Sequence, residues 1–206
     1  KIVDEVYVKL GQLDFAAELA QLRAAKPEAL YVFFPGGMGI NFVKQFVAAG
    51  LSKDITLLLP GFSADQDTIP AVGDAMLGIF NTSQWSPDMD NAENQRFVPE
   101  FFKEFKRQPS IYASQGYDAA LHIDNAVKAV KGKIEDKVGF QKALENVKYD
   151  SVRGNFKFNK NHFPIHDYYM VQIEKDAKGR LVSGFRGAVL KDLADAYGGE
   201  CQMPAQ

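Results

Sequence analysis

Hydrophobic and polar positions follow two different periods along the chain, and the period changes near residue 149. Before that point, short apolar runs alternate with longer stretches whose apolar residues recur at helical spacing. The apolar runs predict strands at residues 1–8, 29–34, 55–59 and 76–80, and the longer stretches predict helices at residues 15–25, 38–49, 92–107, 112–130 and 138–147. Short connections between these elements predict an α/β fold, with a parallel sheet flanked by helices in three layers.

From residue 149 onwards, apolar residues alternate with polar ones, which indicates antiparallel strands. The first run contains Val152, Phe156 and Phe158, and two further strands are predicted at residues 168–174 and 181–185. The sequence therefore predicts antiparallel strands in the last quarter of the chain.

A glycine-rich loop, Phe34-Pro-Gly-Gly-Met-Gly39, joins the second predicted strand to a helix. Backbone N–H groups at such a helix N-terminus, beyond the carboxyl end of a strand, lie where open α/β sheets bind ligands. The loops after residues 55–59 and 76–80 should emerge at the same edge, the second of them carrying the single tryptophan, Trp85. The pattern favours a ligand site at this edge, but two alternatives stay open: the glycines permit a tight turn only, and Trp85 packs in the core.

The residues predict no catalytic centre, cofactor site or metal site. The loop has only the first two glycines of G-x-G-x-x-G, because Phe42 occupies the third position. His162 and His166, with Asp167 beside them, are separated by Pro164 and have no fourth ligand nearby in sequence, which indicates turn residues rather than a metal site. No G-x-S-x-G elbow and no acid/base pair can be identified.

The composition excludes several classes of protein. With 206 residues, 46% of them hydrophobic, and a net charge of −2, the chain can bury a core and has no basic excess for nucleic acid. No apolar run approaches the roughly 18 residues of a membrane span. Cys201, the single cysteine, is either unpaired or paired outside this sequence. Because the chain begins inside a predicted strand, we expect that an N-terminal part is missing.

Four segments, together with the order of elements, resemble a known family: Arg23-Ala-Ala-Lys-Pro-Glu-Ala29, Phe34-Pro-Gly-Gly-Met38, Val47-Ala-Ala-Gly-Leu51 and Tyr112-Ala-Ser-Gln-Gly-Tyr-Asp-Ala119. The chain resembles the C-terminal portion of type I periplasmic solute-binding proteins of ABC importers, in the branch related to the leucine/isoleucine/valine-binding proteins. The resemblance implies two lobes that are joined by hinge crossings and close on a ligand. It implies that residues 1–108 form most of the second lobe, that residues 109–150 are helices of the first lobe, and that residues 151–206 are the return crossing, the antiparallel strands and a tail.

Carried over position by position, the resemblance implies ligand contacts at Pro35, Gly36, Gly37, Met38, Gly61, Phe62, Ser63, Trp85 and Tyr117. Amino-acid-binding members resemble one another in placing an acidic residue in the loop after the strand at 55–59, where it pairs with the ligand's ammonium group. This chain has glycine, phenylalanine and serine there, with Asp65 further on. Since a buried ammonium group without a partner is costly, the departure favours an aromatic carboxylate such as a benzoate or cinnamate derivative.

The function that the resemblance implies is that of a periplasmic component that binds a small organic acid and delivers it to a membrane permease. Such a protein is a monomer, is not an enzyme, and needs no cofactor and no nucleic acid. Three alternatives stay open: a ligand-sensing domain with the same fold, a branched-chain amino-acid-binding protein, and a nucleotide-dependent enzyme that rests on the glycine match alone.

Overall fold

The computed structural model describes residues 1–203 of the chain. Its helices are α1 (Ala16–Ala25), α2 (Gly36–Ala48), α3 (Ile69–Val72), α4 (Ala92–Phe105), α5 (Ile111–Ala129) and α6 (Lys137–Asn146). Its strands are β1 (Ala29–Tyr31), β2 (Thr56–Pro60), β3 (Phe80–Ser83), β4 (Phe156–Phe158), β5 (Pro164–Lys175) and β6 (Leu181–Leu193). Within these residues, no helix has both the length and the apolar character that a membrane crossing requires.

The chain forms two compact units and passes from one to the other three times. Unit 1 comprises residues 1–83 and 170–186, and unit 2 comprises residues 84–169 together with the chain from Gly187 onwards. These boundaries differ from the predicted divisions at residues 108 and 150. The segment at 108–110 joins α4 to α5, which both lie in unit 2. The Ser110 side chain accepts a hydrogen bond from the N–H of Ala113 and so caps α5.

Unit 1 contains the predicted parallel sheet. Leu30 of β1 lies opposite Leu57 of β2, and Leu59 of β2 lies opposite Asn81 of β3, with the strands parallel in both pairs. β5 continues this sheet, since the N–H of Ile173 donates to the carbonyl of Ile79. The core lies against α1, α2 and α3 and includes Phe15, Leu19, Val32, Phe42, Val43, Phe46, Leu57, Leu59, Ile69, Met76 and Ile173.

Uninterrupted apolar runs such as residues 29–34 are typical of strands that are buried on both faces, but here only one face is buried. Val32 is 6% exposed, whereas its neighbours Tyr31 and Phe33 are 59% and 62% exposed. Because alternate residues of a strand point to opposite faces, the core residues of α1 and α2 cover only the face that carries Val32.

Two other predicted strands also differ from the structure. Residues 1–8 form no regular secondary structure, because a strand requires a neighbour for its backbone hydrogen bonds and no described strand pairs with them. The strand predicted at residues 76–80 begins only at Phe80. The residues before it form a 3₁₀ turn, Gly73–Met76, and Gly78 has a φ of 83° that no regular strand accommodates.

Unit 2 contains the three predicted helices α4, α5 and α6, and β4 pairs with the first part of β5 as an antiparallel neighbour. An aromatic group joins α4 to α5, with the Phe97 ring centroid 4.6 Å from that of Tyr117 and 6.1 Å from that of Trp85. The prediction of helices here and of antiparallel strands after residue 149 is therefore confirmed.

A buried ion pair connects α5 to the segment before β4 in unit 2. Asp118, which is fully buried, accepts hydrogen bonds from the Ser151 hydroxyl at 2.5 Å, the Val152 N–H at 3.0 Å and the Arg153 Nε at 2.6 Å. The Arg153 guanidinium carbon lies 4.1 Å from the centre of the Phe156 ring. One carboxylate thus satisfies three donors from three consecutive residues.

Candidate ligand-binding site

The loops that follow β1, β2 and β3 emerge at one edge of the unit 1 sheet, because the three strands are parallel. The Ser63 hydroxyl donates a 2.7 Å hydrogen bond to the carbonyl of Phe34, which ties the second loop to the first. Only glycine fits comfortably at position 61, since a Cβ there would lie 3.0 Å from the Ser83 Oγ. The strand ends therefore meet as the sequence predicts.

The first loop leads directly into α2. Pro35, Gly36 and Gly37 are exposed, and the first turn of the helix contains no acidic residue and has no side-chain cap. The first N–H groups of a helix have no partner within it, so the exposed backbone here can donate to a bound molecule. Gly39 allows the loop to pass close to the strand, because a Cβ there would lie 2.7 Å from the Phe34 carbonyl oxygen.

The second loop is a 3₁₀ turn, Gly61–Ser63, that presents an aromatic surface. Phe62 is half-buried, and its ring stands edge-on to the exposed Phe33 ring, with 5.0 Å between the centroids. Sequence reasoning did not identify Phe33 as a site residue. The available signal was its alternation with the buried Val32 at the end of a strand.

Asp65, the carboxylate nearest to this second loop in sequence, is buried at 3% exposure, whereas Asp67 is exposed. Its N–H donates to the Thr68 hydroxyl, and its carbonyl accepts from the N–H groups of Thr68 and Ile69. The residue thus forms the turn that begins α3. The exposed surface of the second loop consequently carries no carboxylate from Asp65.

Met38 and Trp85, both predicted to contact a ligand, are buried packing residues. Met38 is 6% exposed, and its sulfur accepts the N–H of Gly11 at 3.1 Å. Trp85 is 1% exposed, and its indole N–H donates to the Asn94 side-chain oxygen at 2.7 Å. A ring enclosed in this way offers no free face, which favours the open alternative that Trp85 belongs to the core.

Tyr117, the last of the predicted contacts, is half-buried on α5 in unit 2. Its hydroxyl donates a 3.0 Å hydrogen bond to Glu93 Oε1, and the same carboxylate oxygen forms a salt bridge with Arg96. Burial, and then the hydrogen bond to Glu93, raise the pKa of the Tyr117 hydroxyl above 10.0. The phenol is therefore protonated at neutral pH.

The described part of the chain brings together no group of three or more histidine, cysteine, aspartate or glutamate side chains that could hold a metal ion. His166 is 5% exposed, and its Nδ1 lies 3.1 Å from the backbone carbonyl of Asp167. His162 lies 3.4 Å from Glu145. The two histidines thus have different neighbours.

A family model described as periplasmic binding protein matches residues 1–179. The chain belongs to this family. A Leu/Ile/Val-binding protein homolog 6 from Brucella melitensis is 27% identical over 158 residues, which are 75% of this chain and 40% of that protein. The chain therefore spans well under two thirds of the length of the curated relatives that it matches. The resemblance to the type I periplasmic binding proteins is confirmed.

Two solved solute-binding proteins of ABC transporters from R. palustris are more similar in sequence. One, in complex with benzoate, is 33% identical, with a TM-score of 0.85 over 95% of this chain and 52% of that chain. The other, in complex with 3,4-dihydroxybenzoic acid, is 32% identical, with a TM-score of 0.78 over 91% of this chain and 51% of that chain. A leucine-binding protein from Thermotoga maritima, at 18% identity and a TM-score of 0.74, shows the fold alone.

Proposed function

We propose that this chain is part of the extracytoplasmic solute-binding component of an ABC importer and that it binds an aromatic carboxylate without altering it. Family membership supports the binding role, and the bound benzoates of the two R. palustris proteins support the ligand class. The location outside the cytoplasm, the membrane permease as partner and the monomeric state belong to the same proposal.

The proposed ligand class depends on the groups that the second loop exposes. An amino-acid ligand needs an acidic partner for its ammonium group, and the resemblance implies this partner in the loop after β2. Here the loop presents the Phe62 ring, which contacts the Phe33 ring of the segment after β1, while Asp65 is buried in the turn before α3. A flat apolar ring suits such a surface, since aromatic pairs prefer edge-to-face or offset contacts.

The first loop supplies the polar part of the proposed site. We propose that the exposed backbone of Gly36 and Gly37 donates to oxygen atoms of the ligand, because the N-terminus of α2 has neither a cap nor an acidic residue to compete. The contact that the resemblance implies at Tyr117 lies in unit 2 and stays a prediction. Trp85 and Met38 are left out because both are buried.

Branched-chain amino acids are the second candidate ligand class. The observation in their favour is the name of the curated relatives, which are Leu/Ile/Val-binding protein homologues. A ligand-sensing role remains an alternative with the same fold and the same kind of ligand.

The proposal is tested by measuring the melting temperature of the chain with benzoate, 3,4-dihydroxybenzoate, cinnamate and leucine. A ligand that binds only the folded state stabilises it by RT ln(1 + [L]/Kd), which is about 2.7 kcal/mol at a hundredfold excess over Kd. We expect the aromatic acids to raise the melting temperature and leucine to leave it unchanged.

The matched variants are Phe62→Ala, in the second loop, and Phe163→Ala, an exposed phenylalanine of unit 2. We expect Phe62→Ala to weaken binding of the aromatic acids and Phe163→Ala to leave it unchanged. A melting-temperature rise with leucine alone would refute the aromatic assignment and favour the branched-chain alternative.

A further inference from the structure

Two aromatic rings meet where the first and second loops leave the sheet of unit 1. Phe33 is 62% exposed, and its ring centroid lies 5.0 Å from that of Phe62, with an angle of 83° between the ring planes. Both residues belong to unit 1. The resemblance implies a ligand contact at Phe62 and none at Phe33, so the role of the second ring is open.

The backbone that bears Phe33 is anchored in the core by the next residue. The Phe34 ring stacks on that of Phe15, with 5.2 Å between the centroids, and stands edge-on to that of Phe42 at 5.4 Å. Phe15 and Phe42 are 0% and 3% exposed. The position of the Phe34 carbonyl is therefore set by packing in the core, and it offers a fixed acceptor to the second loop.

One hydrogen bond joins the second loop to this acceptor. The Ser63 hydroxyl donates to the Phe34 carbonyl at 2.7 Å, and Ser63 is 3% exposed. Since a hydroxyl group has one proton, Ser63 has none left to donate to a ligand. The bond links the residues that directly follow Phe33 and Phe62. It therefore fixes the separation of the two loops at the point where the two rings meet.

We infer, on the basis of the proposed function, that Ser63 is a positioning residue: its hydrogen bond to Phe34 holds the Phe33 and Phe62 rings as an aromatic platform that selects aromatic over saturated ligand rings. An aromatic ring has a negative face and a positive edge, so it gains from edge-to-face or offset contact with the platform. A saturated ring has no such charge distribution. Contacts of this kind correspond to a preference of about two- to tenfold beyond the effect of buried area.

Calorimetry with benzoate and cyclohexanecarboxylate tests the inference, because both acids consist of one carboxylate on a ring of six carbon atoms. Ser63→Ala removes the hydrogen bond between the loops. Phe33→Leu keeps an apolar side chain at an exposed position but removes the ring. Ser52→Ala, at an exposed position of unit 1, is the control. The melting temperature of each variant without ligand verifies that it is folded.

The measured quantity is the ratio of the two Kd values, because a general structural loss weakens both acids equally. We expect benzoate to bind about two- to tenfold more tightly than cyclohexanecarboxylate in the unmodified chain and in Ser52→Ala. The ratio should fall towards one in Ser63→Ala and in Phe33→Leu, and an unchanged ratio in either variant overturns the inference. Equal binding of the two acids by the unmodified chain overturns the inference but leaves the proposed binding of benzoate intact, whereas binding of neither acid overturns the proposed function as well.

Discussion

Replacing Asp118 by alanine tests whether the buried ion pair holds unit 2 together. The substitution removes the acceptor of three hydrogen bonds at once, and it leaves Arg153, whose side chain is 11% exposed, without its carboxylate. The matched control is Asp124→Ala, six residues along the same helix. Asp124 pairs with Lys128 at the surface, and the two side chains are 55% and 70% exposed.

The two substitutions should differ several-fold in their cost. Removing one partner of a buried ion pair costs about 3–5 kcal/mol, because the remaining charge stays buried without compensation. An exposed pair one helical turn apart contributes only about 0.3–0.5 kcal/mol. Since domains of this size are stable by roughly 5–15 kcal/mol, Asp118→Ala removes at least about a fifth of a typical stability.

Urea unfolding followed by tryptophan fluorescence measures this difference. Trp85 is the only tryptophan and is buried in unit 2, so its emission reports on the unit that contains Asp118. With a denaturant slope of about 2 kcal/mol per molar urea, the midpoint should fall by about 2 M in Asp118→Ala and hardly change in Asp124→Ala. Equal small shifts in both variants would refute the view that the ion pair fixes residues 151–153 to α5.

Two further predictions concern the first loop and the buried histidine. Gly39→Ala should destabilise the chain by about 1–3 kcal/mol, because its Cβ would lie 2.7 Å from the Phe34 carbonyl oxygen. Gly37→Ala is the control and should leave the stability unchanged, because its Cβ would meet no atom within 4 Å. The melting temperatures of the two variants measure this difference. Burial, and then the nearby Arg153 cation, lower the pKa of His166 below 6.5. As the pH falls, the unfolded chain therefore takes up a proton at His166 before the folded chain does. The stability that is present above pH 6.5 should be lost as the pH falls towards the pKa of His166 in the folded state. Between pH 7.5 and 5.5, His166→Gln should lose less free energy of unfolding than the control His162→Gln, as measured by urea unfolding. Equal losses in the two variants would contradict the view that protonation of His166 causes the loss.

Local periodicity predicted most helices and the approximate positions of the parallel strands, because helix and strand patterns depend on residues close in sequence. The strand at residues 1–8 was predicted from composition, but strand formation depends on a neighbour that local sequence does not specify. β6 extends from Leu181 to Leu193, well beyond the predicted end at residue 185. The prediction ended too early because the residues after Gly187 are mostly exposed and show no alternation of apolar and polar positions.

The position of the candidate site was easier to predict than its side chains. Glycines after parallel strands mark a sheet edge through backbone chemistry alone, and the structure places the two predicted glycine loops of unit 1 there. Burial of individual side chains depends on contacts distant in sequence. Trp85 illustrates this, since Asn94 and Phe97 of the following helix enclose it. Asp118 illustrates this more strongly, because its partners lie 33–35 residues further along the chain.

The proposed ligand class depends on where one carboxylate lies rather than on whether the sequence contains one. Asp65 follows Gly61 closely enough that an extended loop would present its side chain beside Phe62. The hydrogen bonds of its backbone with Thr68 and Ile69 instead start α3 at this point and leave Asp65 at 3% exposure. A short turn thus removes the Asp65 carboxylate from the surface of the second loop, where the proposal has the ligand meet the Phe62 ring instead.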